Sequence, residues 1–385
     1  MEAKILIDAI GINRVGGGRT AIHTLLENML RLDHETSFIV MVSEREPSWD
    51  KYRNVRQIII SGGRFAVRVC LQCWLPIWAR REGVALVHFT KNLGVFGLPC
   101  PYVVTIHDLT TLLLRDQHTL LDVIYWKWVE PLTIRNADRV VAVSHDAAGD
   151  VERFYGVPQQ SIEVIHWAPH ARFAPIRDLH KLAGLRQRYR LPGRYILFVG
   201  ILAKKKNLPT LLRCMAHLHS RVPRAPDLVV VGRRYPQSDD MVSASMVNQL
   251  GLGNHVHFVG SVPDEDLPLF YAASELYVLP SLHEGFGIPC LEAMACGVPV
   301  IVTRSGALPE IVGDAALVVD DPLDAAGLCT ATERLLYDEA LRQEMTRRGF
   351  ERVTAFSWER SAQKMLDVYR TVVGGNSDGY QTAGV

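Results

Sequence analysis

Short apolar runs of strand length alternate along the whole chain with segments in which apolar residues recur at helical spacing. This alternation is typical of parallel sheets covered by helices, because two parallel strands need a helix-sized crossover between them. It occurs twice, before and after residues 167–192, which are rich in proline and charge. We therefore predict an α/β protein with two Rossmann-like, doubly wound parallel-sheet domains facing each other across a cleft.

The alternation of strands and helices begins again after residue 192, and this sets the predicted domain bounds. In chain order, the predicted segments are an N-terminal domain (1–175), a linker (176–192), a C-terminal domain (193–356), a helix packing back towards the N-terminal domain (357–373) and a disordered tail (374–385). Ligands of doubly wound sheets bind at the carboxyl ends of the strands, so the chemistry is expected in the loops that follow them.

Strands are predicted where short apolar runs lie between turn-forming residues. They fall at residues 4–10, 37–43, 55–60, 85–89, 102–106, 139–143, 195–199, 228–231, 256–259, 276–279, 299–303 and 316–319. Helices are predicted at 20–32, 66–81, 119–136, 145–155, 208–220, 238–250, 264–273, 289–296, 339–355 and 358–373. Ser144 and Gly156 are expected to cap helix 145–155, and Asn207 to cap helix 208–220.

Charge and cysteine content exclude several classes of protein. With 42 basic and 41 acidic residues the net charge is +1, which provides no global field for nucleic acid. Seven cysteines are too few for a disulfide scaffold, and Cys70 and Cys73 lack a second pair to complete a zinc site. No signal-peptide run opens the sequence, and the longest apolar stretches fall short of the ~20 residues that a spanning helix needs or are broken by Pro and Gly. We expect a cytoplasmic protein that does not cross a membrane.

Residues 283–300, HEGFGIPCLEAMACGVPV, form the most informative motif. Pro289 suits the first helical turn and Gly297 the position just after the last one, which predicts a two-turn helix between two strands. Glycines at Gly285 and Gly287 open this helix, so its backbone N–H groups can approach a ligand closely. The motif therefore predicts a phosphate site.

Two carboxylates flank this helix opening. A carboxylate beside a phosphate would be repelled, so Glu284 and Glu292 are expected to accept hydrogen bonds from sugar or ribose hydroxyls. Alternatively, Glu284 is a solvated loop residue and Glu292 complements the helix dipole. The surrounding pattern favours the ligand-binding interpretation: a strand, then Gly-x-Gly, a short helix, a glycine and a second strand.

Three lysines, Lys204, Lys205 and Lys206, follow the predicted strand 195–199 and precede a helix. A lysine run is most often a solvated face. At the carboxyl end of a strand, however, a cation is able to stabilise negative charge that develops on a leaving group. The position of the run favours this second interpretation.

A glycine run follows the first predicted strand. Gly16, Gly17, Gly18 and Arg19 fit a dinucleotide-binding pattern, which makes a nicotinamide-dependent oxidoreductase the competing hypothesis. The match is weak, because three consecutive glycines satisfy many patterns and the expected acid is displaced to Glu44. Arg19 is a candidate phosphate contact, with a surface arginine as the alternative.

Two further clusters of polar residues each have a structural and a functional interpretation. His107 and Asp108 end the predicted strand 102–106, where a lone histidine is more often structural than catalytic. The acids from Asp264 to Asp266 resemble a D-x-D metal site but begin a predicted helix, where they would complement its dipole. We predict no metal.

The segment HEGFGIPCLEAMACGVPVIVTRSGALPEIVGDAALVVD resembles the core motif of the retaining GT-B glycosyltransferases of family four. The likeness extends upstream through YILFVGILAKKKNLPTLL, LVVVGRR, HFVGSVPDEDLPLFYAASELYVLPS and RVVAVSHDAAGDVERFYGVPQQSIEVI, and more loosely to GINRVGGGRTAIHTLLENM. It covers essentially the whole chain beyond about Val87. The resemblance implies a GT-B fold and sugar transfer from a nucleotide diphosphate donor with retention of configuration, without a metal or other cofactor.

The resemblance also implies roles for single residues. Lys206 would contact the diphosphate, and His107 would contact the transferred sugar with Asp108 orienting its ring. The family often has an arginine where this chain has Ile201, so one basic contact is missing. Either Lys205 replaces it or the donor is held differently. The full predicted site comprises catalytic His107, Lys206 and Glu284; donor-binding Gly17, Gly18, Gly200, Lys205, Lys206, Glu284, Gly285, Phe286, Gly287, Ile288 and Glu292; and acceptor-side Gly16, Arg19 and Asp108.

We therefore expect an enzyme that moves a hexose, either mannose or a related deoxysugar, from a GDP-linked donor to a saccharide or lipid-linked saccharide in cell-surface polysaccharide synthesis. No nucleic acid partner is expected. The alternatives are a nucleotide-sugar epimerase of GT-B fold, a noncatalytic nucleotide-sugar binder and, less favoured, the nicotinamide-dependent oxidoreductase. A screen of nucleotide sugars separates them.

Residues 64–81 raise the question of a membrane contact. The segment has two tryptophans, no acid and four arginines: Arg64, Arg68, Arg80 and Arg81. This composition fits peripheral binding at the inner face of the cytoplasmic membrane. A buried helix with cationic ends explains it equally well.

Overall fold

The computed structural model describes residues 3–10, 17–92, 94–109, 120–233 and 244–375, and of residues 17–19, 64–66, 120–126 and 244 it describes the backbone alone. The chain forms two compact units. Unit 1 comprises the residues up to Trp167 together with those from Ser357 onward, and unit 2 comprises Ala168–Phe356.

Unit 1 is a seven-stranded parallel sheet with helices. Its strands are β1 (Lys4–Asp8), β2 (Ser37–Val42), β3 (Val55–Ile59), β4 (Leu86–Phe89), β5 (Tyr102–Ile106), β6 (Arg139–Ala142) and β7 (Ile162–Val164). Its first helices are α1 (Gly17–Leu32), α2 (Arg64–Glu82), α3 (Leu120–Arg135) and α4 (His145–Tyr155).

Unit 2 is a six-stranded parallel sheet with helices. Its strands are β8 (Tyr195–Val199), β9 (Asp227–Val231), β10 (Val256–Gly260), β11 (Leu276–Leu279), β12 (Val300–Thr303) and β13 (Ala316–Val319). Its helices are α5 (Leu179–Tyr189), α6 (Leu208–Arg221), α7 (Ala244–Gln249), α8 (Leu267–Ala272), α9 (Ile288–Ala295), α10 (Leu308–Val312), α11 (Ala325–Tyr337) and α12 (Glu339–Thr354). The chain then returns to unit 1 as α13 (Trp358–Gly375), which packs on α1.

Both sheets have the doubly wound strand order. The order is β3-β2-β1-β4-β5-β6-β7 in unit 1 and β10-β9-β8-β11-β12-β13 in unit 2, with every neighbouring pair parallel. The direction of winding reverses between β1 and β4 and again between β8 and β11. Ligands of such sheets bind outside the carboxyl ends of the strands at these switch points. The predicted α/β class with two Rossmann-like sheets is confirmed.

Burial of the strands on both faces explains their continuous apolar sequences. All residues of β5 and β8 are buried, as expected for parallel strands covered by helices. On α2, Leu71, Leu75 and Ala79 recur at helical spacing and pack into the core of unit 1.

Within the described part of the chain, no helix is both long and apolar enough to span a bilayer.

The twelve predicted strands are all present within two residues of their predicted ends, and β7 is an additional edge strand. Ser144 caps α4 as predicted, its Oγ accepting from Ala147 N over 3.0 Å, and Gly156 ends that helix at φ +66°. Asn207 is the N-cap residue of α6 as predicted, but its side chain makes no hydrogen bond to the helix backbone. Its Nδ2 instead donates to the carbonyls of Pro280 and Pro322, because the side chain joins two loops that follow strands.

Residues 176–192, predicted to be a linker, contain α5 and belong to unit 2. Asp178 caps this helix by accepting from His180 N and Lys181 N, and Leu182 and Leu185 bury its inner face. The many charges of this segment are the exposed face of an amphipathic helix. Helix α13 continues through Gly375, and the rest of the predicted tail lies outside the described residues.

Candidate functional site

The predicted lysine run and the first carboxylate of the 283–300 motif meet in unit 2. Lys206 lies in a short 3-10 turn after β8, and Glu284 lies in the loop after the neighbouring strand β11. Lys206 Nζ donates to Glu284 Oε1 over 2.6 Å, and the two side chains are only 12% and 8% exposed. The sheet thus forms a buried ion pair at its switch point, where a doubly wound sheet binds its ligand.

Contacts from adjoining loops fix the position of this ion pair. Ser281 Oγ donates to the same oxygen, Glu284 Oε1, over 2.6 Å. Leu282 N donates to the Lys205 carbonyl over 2.7 Å, which ties the loop after β11 to the turn after β8. The carboxylate and the ammonium are therefore held in place before any ligand arrives.

The charge state of Glu284 follows from these neighbours. Burial acts to raise its pKa, but the charges of Lys206 and Lys205 and the hydrogen bonds from Lys206 and Ser281 outweigh burial and hold the pKa below its usual value. Glu284 is therefore an anion at neutral pH. Both hydrogen bonds go to Oε1, so among the described residues none donates to Oε2, which remains an acceptor for a ligand hydroxyl.

The loop after β12 supports the backbone of Glu284. Ala307 N donates to the Glu284 carbonyl over 2.9 Å, and Gly306 has φ +55°. A Cβ atom at Gly306 would lie 2.3 Å from the Glu284 carbonyl oxygen. Only glycine allows this close approach of the two loops.

We expect Gly306→Ala to lower turnover at least tenfold, because the new methyl group must displace the backbone of Glu284 and thereby weaken its contact with Lys206. Steady-state assays with a matched control measure the effect. Gly251→Ala is that control, since Gly251 has φ +70° in the same unit and a Cβ there would have no atom within 4 Å. Equal activity of the two variants would show that the close approach does not position Glu284.

The second carboxylate of the motif has a different environment. Glu292 lies on α9, whose N-terminus begins after Gly287 at φ +99°. Tyr271 OH donates to Glu292 Oε2 over 3.0 Å. Burial raises the pKa of Glu292 to about 7, although the hydrogen bond from Tyr271 and the charge of Arg172 oppose the rise. The two glutamates therefore differ in charge near neutral pH.

Three other predicted donor-binding residues, Gly200, Phe286 and Ile288, have no side chain that a ligand is able to contact. A Cβ at Gly200 would lie 3.3 Å from Lys206 Cε, so this glycine leaves room for the lysine stem. The side chains of Phe286 and Ile288 are buried, 3% and 9% exposed, and the Phe286 ring packs edge-on against Phe356. Phe286 and Ile288 therefore offer a ligand their backbone groups alone.

In unit 1, His107 follows β5 with a defined orientation. Its Nε2 lies 2.5 Å from the Thr90 carbonyl, which only accepts, so Nε2 carries the hydrogen and Nδ1 keeps a lone pair. Nδ1 is buried without a hydrogen-bond partner among the described residues. Burial holds the pKa of His107 below its usual value. The Thr90 carbonyl and the adjacent Trp167 ring orient this histidine, and the negative charge of Asp108 acts to raise its pKa; the predicted orienting role of Asp108 stays a prediction.

Asp266 is the N-cap residue of α8, so the acids begin a helix as predicted, but the Asp266 carboxylate makes no hydrogen bond to the helix backbone. Asp266 accepts from Arg188 Nη1 at 3.0 and 2.9 Å and from Tyr189 OH at 2.6 Å, because α5 packs against the start of α8. Asp264 forms an ion pair with Arg172 at 3.5 Å. The carboxylates of Asp264 and Asp266 are thus bound to side chains of unit 2.

Some predicted residues are not placed. Gly16 lies outside the described residues, and Gly17, Gly18 and Arg19 begin α1 with side chains that are not described. Sequence reasoning missed Ser281, although a small polar residue directly after a buried strand is a usable signal. Arg172 lies just before the predicted linker, within the predicted N-terminal domain, and nothing in the sequence links it to Glu292.

The fold matches that of solved structures. Sucrose-phosphate synthase from Thermosynechococcus elongatus superimposes with a TM-score of 0.76 at 23% identity, covering 97% of this chain and 100% of that one. Together with the two parallel sheets, this likeness confirms the GT-B fold.

The family follows from sequence matches. The family model described as Glycosyltransferase Family 4 matches residues 15–168, and the one described as Glycosyl transferases group 1 matches residues 186–352. O-antigen chain mannosyltransferase B of Escherichia coli is 31% identical over 297 residues, which are 76% of this chain and 76% of that protein. Serotype-specific mannosyltransferase WbdA of Escherichia coli is 27% identical over 304 residues, 77% of this chain but 37% of that protein. The chain belongs to the group 1, family 4 glycosyltransferases.

Proposed function

We propose that this glycosyltransferase moves mannose or a related deoxyhexose from a GDP-linked donor to a saccharide or lipid-linked saccharide acceptor, with retention of configuration and without a metal. The buried Lys206–Glu284 pair at the switch point of unit 2 is the observation that carries the proposal. The mannosyltransferases among its relatives support the choice of sugar and a role in cell-surface polysaccharide synthesis.

The pair suits a nucleotide-sugar donor because it offers opposite charges to two parts of one ligand. Lys206 stabilises the charge that develops on the leaving diphosphate, together with the backbone N–H groups at the start of α9. Glu284 accepts a hydrogen bond from a hydroxyl of the transferred sugar through Oε2. In this proposal Glu292 accepts a hydrogen bond from the ribose. The role of His107 at the transferred sugar stays a prediction from the family resemblance. No protein carboxylate is proposed as a nucleophile.

A donor screen tests this function. Thermal shift with GDP-mannose, other nucleotide diphosphate sugars and nicotinamide dinucleotides should show stabilisation by one nucleotide sugar and none by the nicotinamide compounds. Turnover of that donor should require an acceptor and survive excess chelator. Acceptor-independent conversion of the donor would instead indicate an epimerase, and binding without turnover would indicate a noncatalytic binder.

We further propose that unit 1 touches an anionic membrane through the outer face of α2. Val69, Trp74 and Ile77 lie on this face and are 49%, 39% and 58% exposed, while the opposite face packs into the core. Arg80 and Arg81 are exposed at the C-terminal end of the helix. Exposed apolar side chains beside cations are typical of interfacial helices.

Two of the four arginines predicted for this contact do not contribute to the described surface. Arg68 lies 3.4 Å from Asp8 and is mostly buried, and the side chain of Arg64 is not described. Arg80 and Arg81 each contribute about 1 kcal/mol of binding free energy beside anionic lipid. Membrane binding is therefore expected to be weak and sensitive to salt.

Co-sedimentation with vesicles measures this contact. The wild type should bind anionic vesicles at low salt, lose most binding at high salt, and bind neutral vesicles weakly. Trp74→Gln combined with Ile77→Gln should lower binding at least tenfold. Full burial of one such side chain contributes about 1.5–3 kcal/mol, and Trp74 and Ile77 expose 39% and 58% of their surface for burial in the membrane. Leu323→Gln, which changes an apolar residue that is 64% exposed in unit 2, is the matched control. Equal recovery of all three proteins in the supernatant would refute the contact.

A further inference from the structure

Three histidines and one aspartate form a cluster at the amino ends of two strands in unit 2, which we call the histidine cluster. Asp227 is the first residue of β9, His255 directly precedes β10 and His257 lies within it. His219 lies in the last turn of α6. Because the strands are parallel, this edge of the sheet is opposite to the carboxyl ends that hold Lys206.

The side chains of the cluster converge on one point. Asp227 Oδ1 lies 2.9 Å from His255 Nδ1, and Asp227 Oδ2 lies 2.8 Å from His257 Nε2. The rings of His219 and His255 have centroids 4.0 Å apart. One ligand atom from each of His219, Asp227 and His255 lies within 4.8 Å of the other two. This spacing allows a single ion to contact all three.

His219 supplies an independent indication of a ligand. Its Nε2 is buried without a hydrogen-bond partner among the described residues, although buried polar atoms are nearly always paired. A buried ring nitrogen without a partner is a candidate metal ligand, because imidazole binds metals through such a nitrogen.

Groups that ligate a metal are usually held by a further polar contact of their own. His257 provides such a contact for Asp227, because its Nε2 lies 2.8 Å from Asp227 Oδ2. The side chains of Asp227 and His255 are 19% and 41% exposed, so an ion can reach the cluster from solvent.

We propose that His219, Asp227 and His255 bind a zinc ion, with His257 orienting Asp227. Imidazole nitrogens and a carboxylate are ligands that suit Zn²⁺, whereas Mg²⁺ and Ca²⁺ require oxygen ligands throughout. A zinc ion here would join α6, β9 and the edge strand β10. The site stabilises unit 2 and lies at the edge of the sheet opposite to Lys206 and Glu284.

Zinc titration of the full-length, untagged protein after chelator dialysis tests the site. The titration uses a Cys70→Ser, Cys73→Ser background, because this exposed cysteine pair is itself able to bind zinc. We expect one equivalent of zinc to bind and to raise the melting temperature. Affinity should fall at least tenfold in His219→Gln and in His255→Gln, and roughly tenfold in His257→Gln.

His217→Gln is the matched control, since His217 lies on the same helix, is exposed and is outside the cluster. Its zinc affinity should equal that of the background protein. The proposal is overturned if the background protein binds no zinc, or if His219→Gln and His217→Gln bind it equally. Cobalt titration of the background protein provides a second measurement that needs no variant: visible absorption typical of nitrogen ligation is expected, and its absence overturns the proposal.

Discussion

Lys206→Ala is expected to lower turnover at least tenfold and to lower the melting temperature as well. One charge-assisted contact to a charged ligand is worth about 1.5–3 kcal/mol, which corresponds to roughly a ten- to hundredfold change in rate. The substitution also leaves Glu284 buried without its cation. Breaking a buried ion pair by removing one partner costs about 3–5 kcal/mol of stability. Loss of activity and loss of stability therefore have different causes in this variant.

The double variant Lys206→Ala, Glu284→Gln separates these two causes. Removing the uncompensated carboxylate should restore much of the melting temperature, while turnover stays low because neither ligand contact returns. Lys204→Ala is the control, because Lys204 belongs to the same turn and is exposed. Normal turnover of a destabilised Lys206→Ala protein would mean that the lysine only neutralises Glu284.

The strand pattern was the part of the fold that the sequence predicted best. Parallel strands buried on both faces are continuous apolar runs, and β5 and β8 are clear examples. The helix α5 was missed because its exposed face is dense in charge and only Leu182 and Leu185 mark its buried side. Polar helices of this kind are easily mistaken for linkers.

Of the site in unit 2, the sequence predicted the residues but not their partners. Lys206 and Glu284 each follow a strand, so sequence reasoning could assign both to the ligand edge of the sheet. Their direct contact depends on β8 lying next to β11, which is a matter of strand order. The support of Glu284 by Gly306 likewise depends on β12 following β11 in the sheet.

The histidine cluster was missed for a similar reason. His217 with His219, and His255 with His257, are two H-x-H pairs, and such pairs are a usable signal for a metal site. Asp227 lies beside His255 and His257 only because β9 and β10 are neighbours in the sheet. The unpaired Nε2 of His219 depends on side-chain packing, which no spacing in the sequence reports.

Donor binding is expected to weaken as the pH falls below about 7, because of Glu292. Burial raises the pKa of this carboxyl to about 7, so near neutrality a large fraction is protonated in the free protein. Ribose hydroxyls donate hydrogen bonds, and they are best accepted by the carboxylate form. Binding therefore releases a proton. For a group with this pKa, affinity should fall about tenfold between about pH 8 and about pH 6.

Calorimetric titration with an intact nucleotide diphosphate sugar measures this dependence, because its diphosphate is esterified at both ends and does not titrate in this range. In Glu292→Gln the pH dependence should vanish, and affinity should be low throughout. Glu284→Gln is the matched control: the pKa of Glu284 is held low by Lys206, so this variant should keep the pH dependence of the wild type. Loss of the dependence in Glu284→Gln, with its retention in Glu292→Gln, would show that the two carboxylates have been given each other's roles.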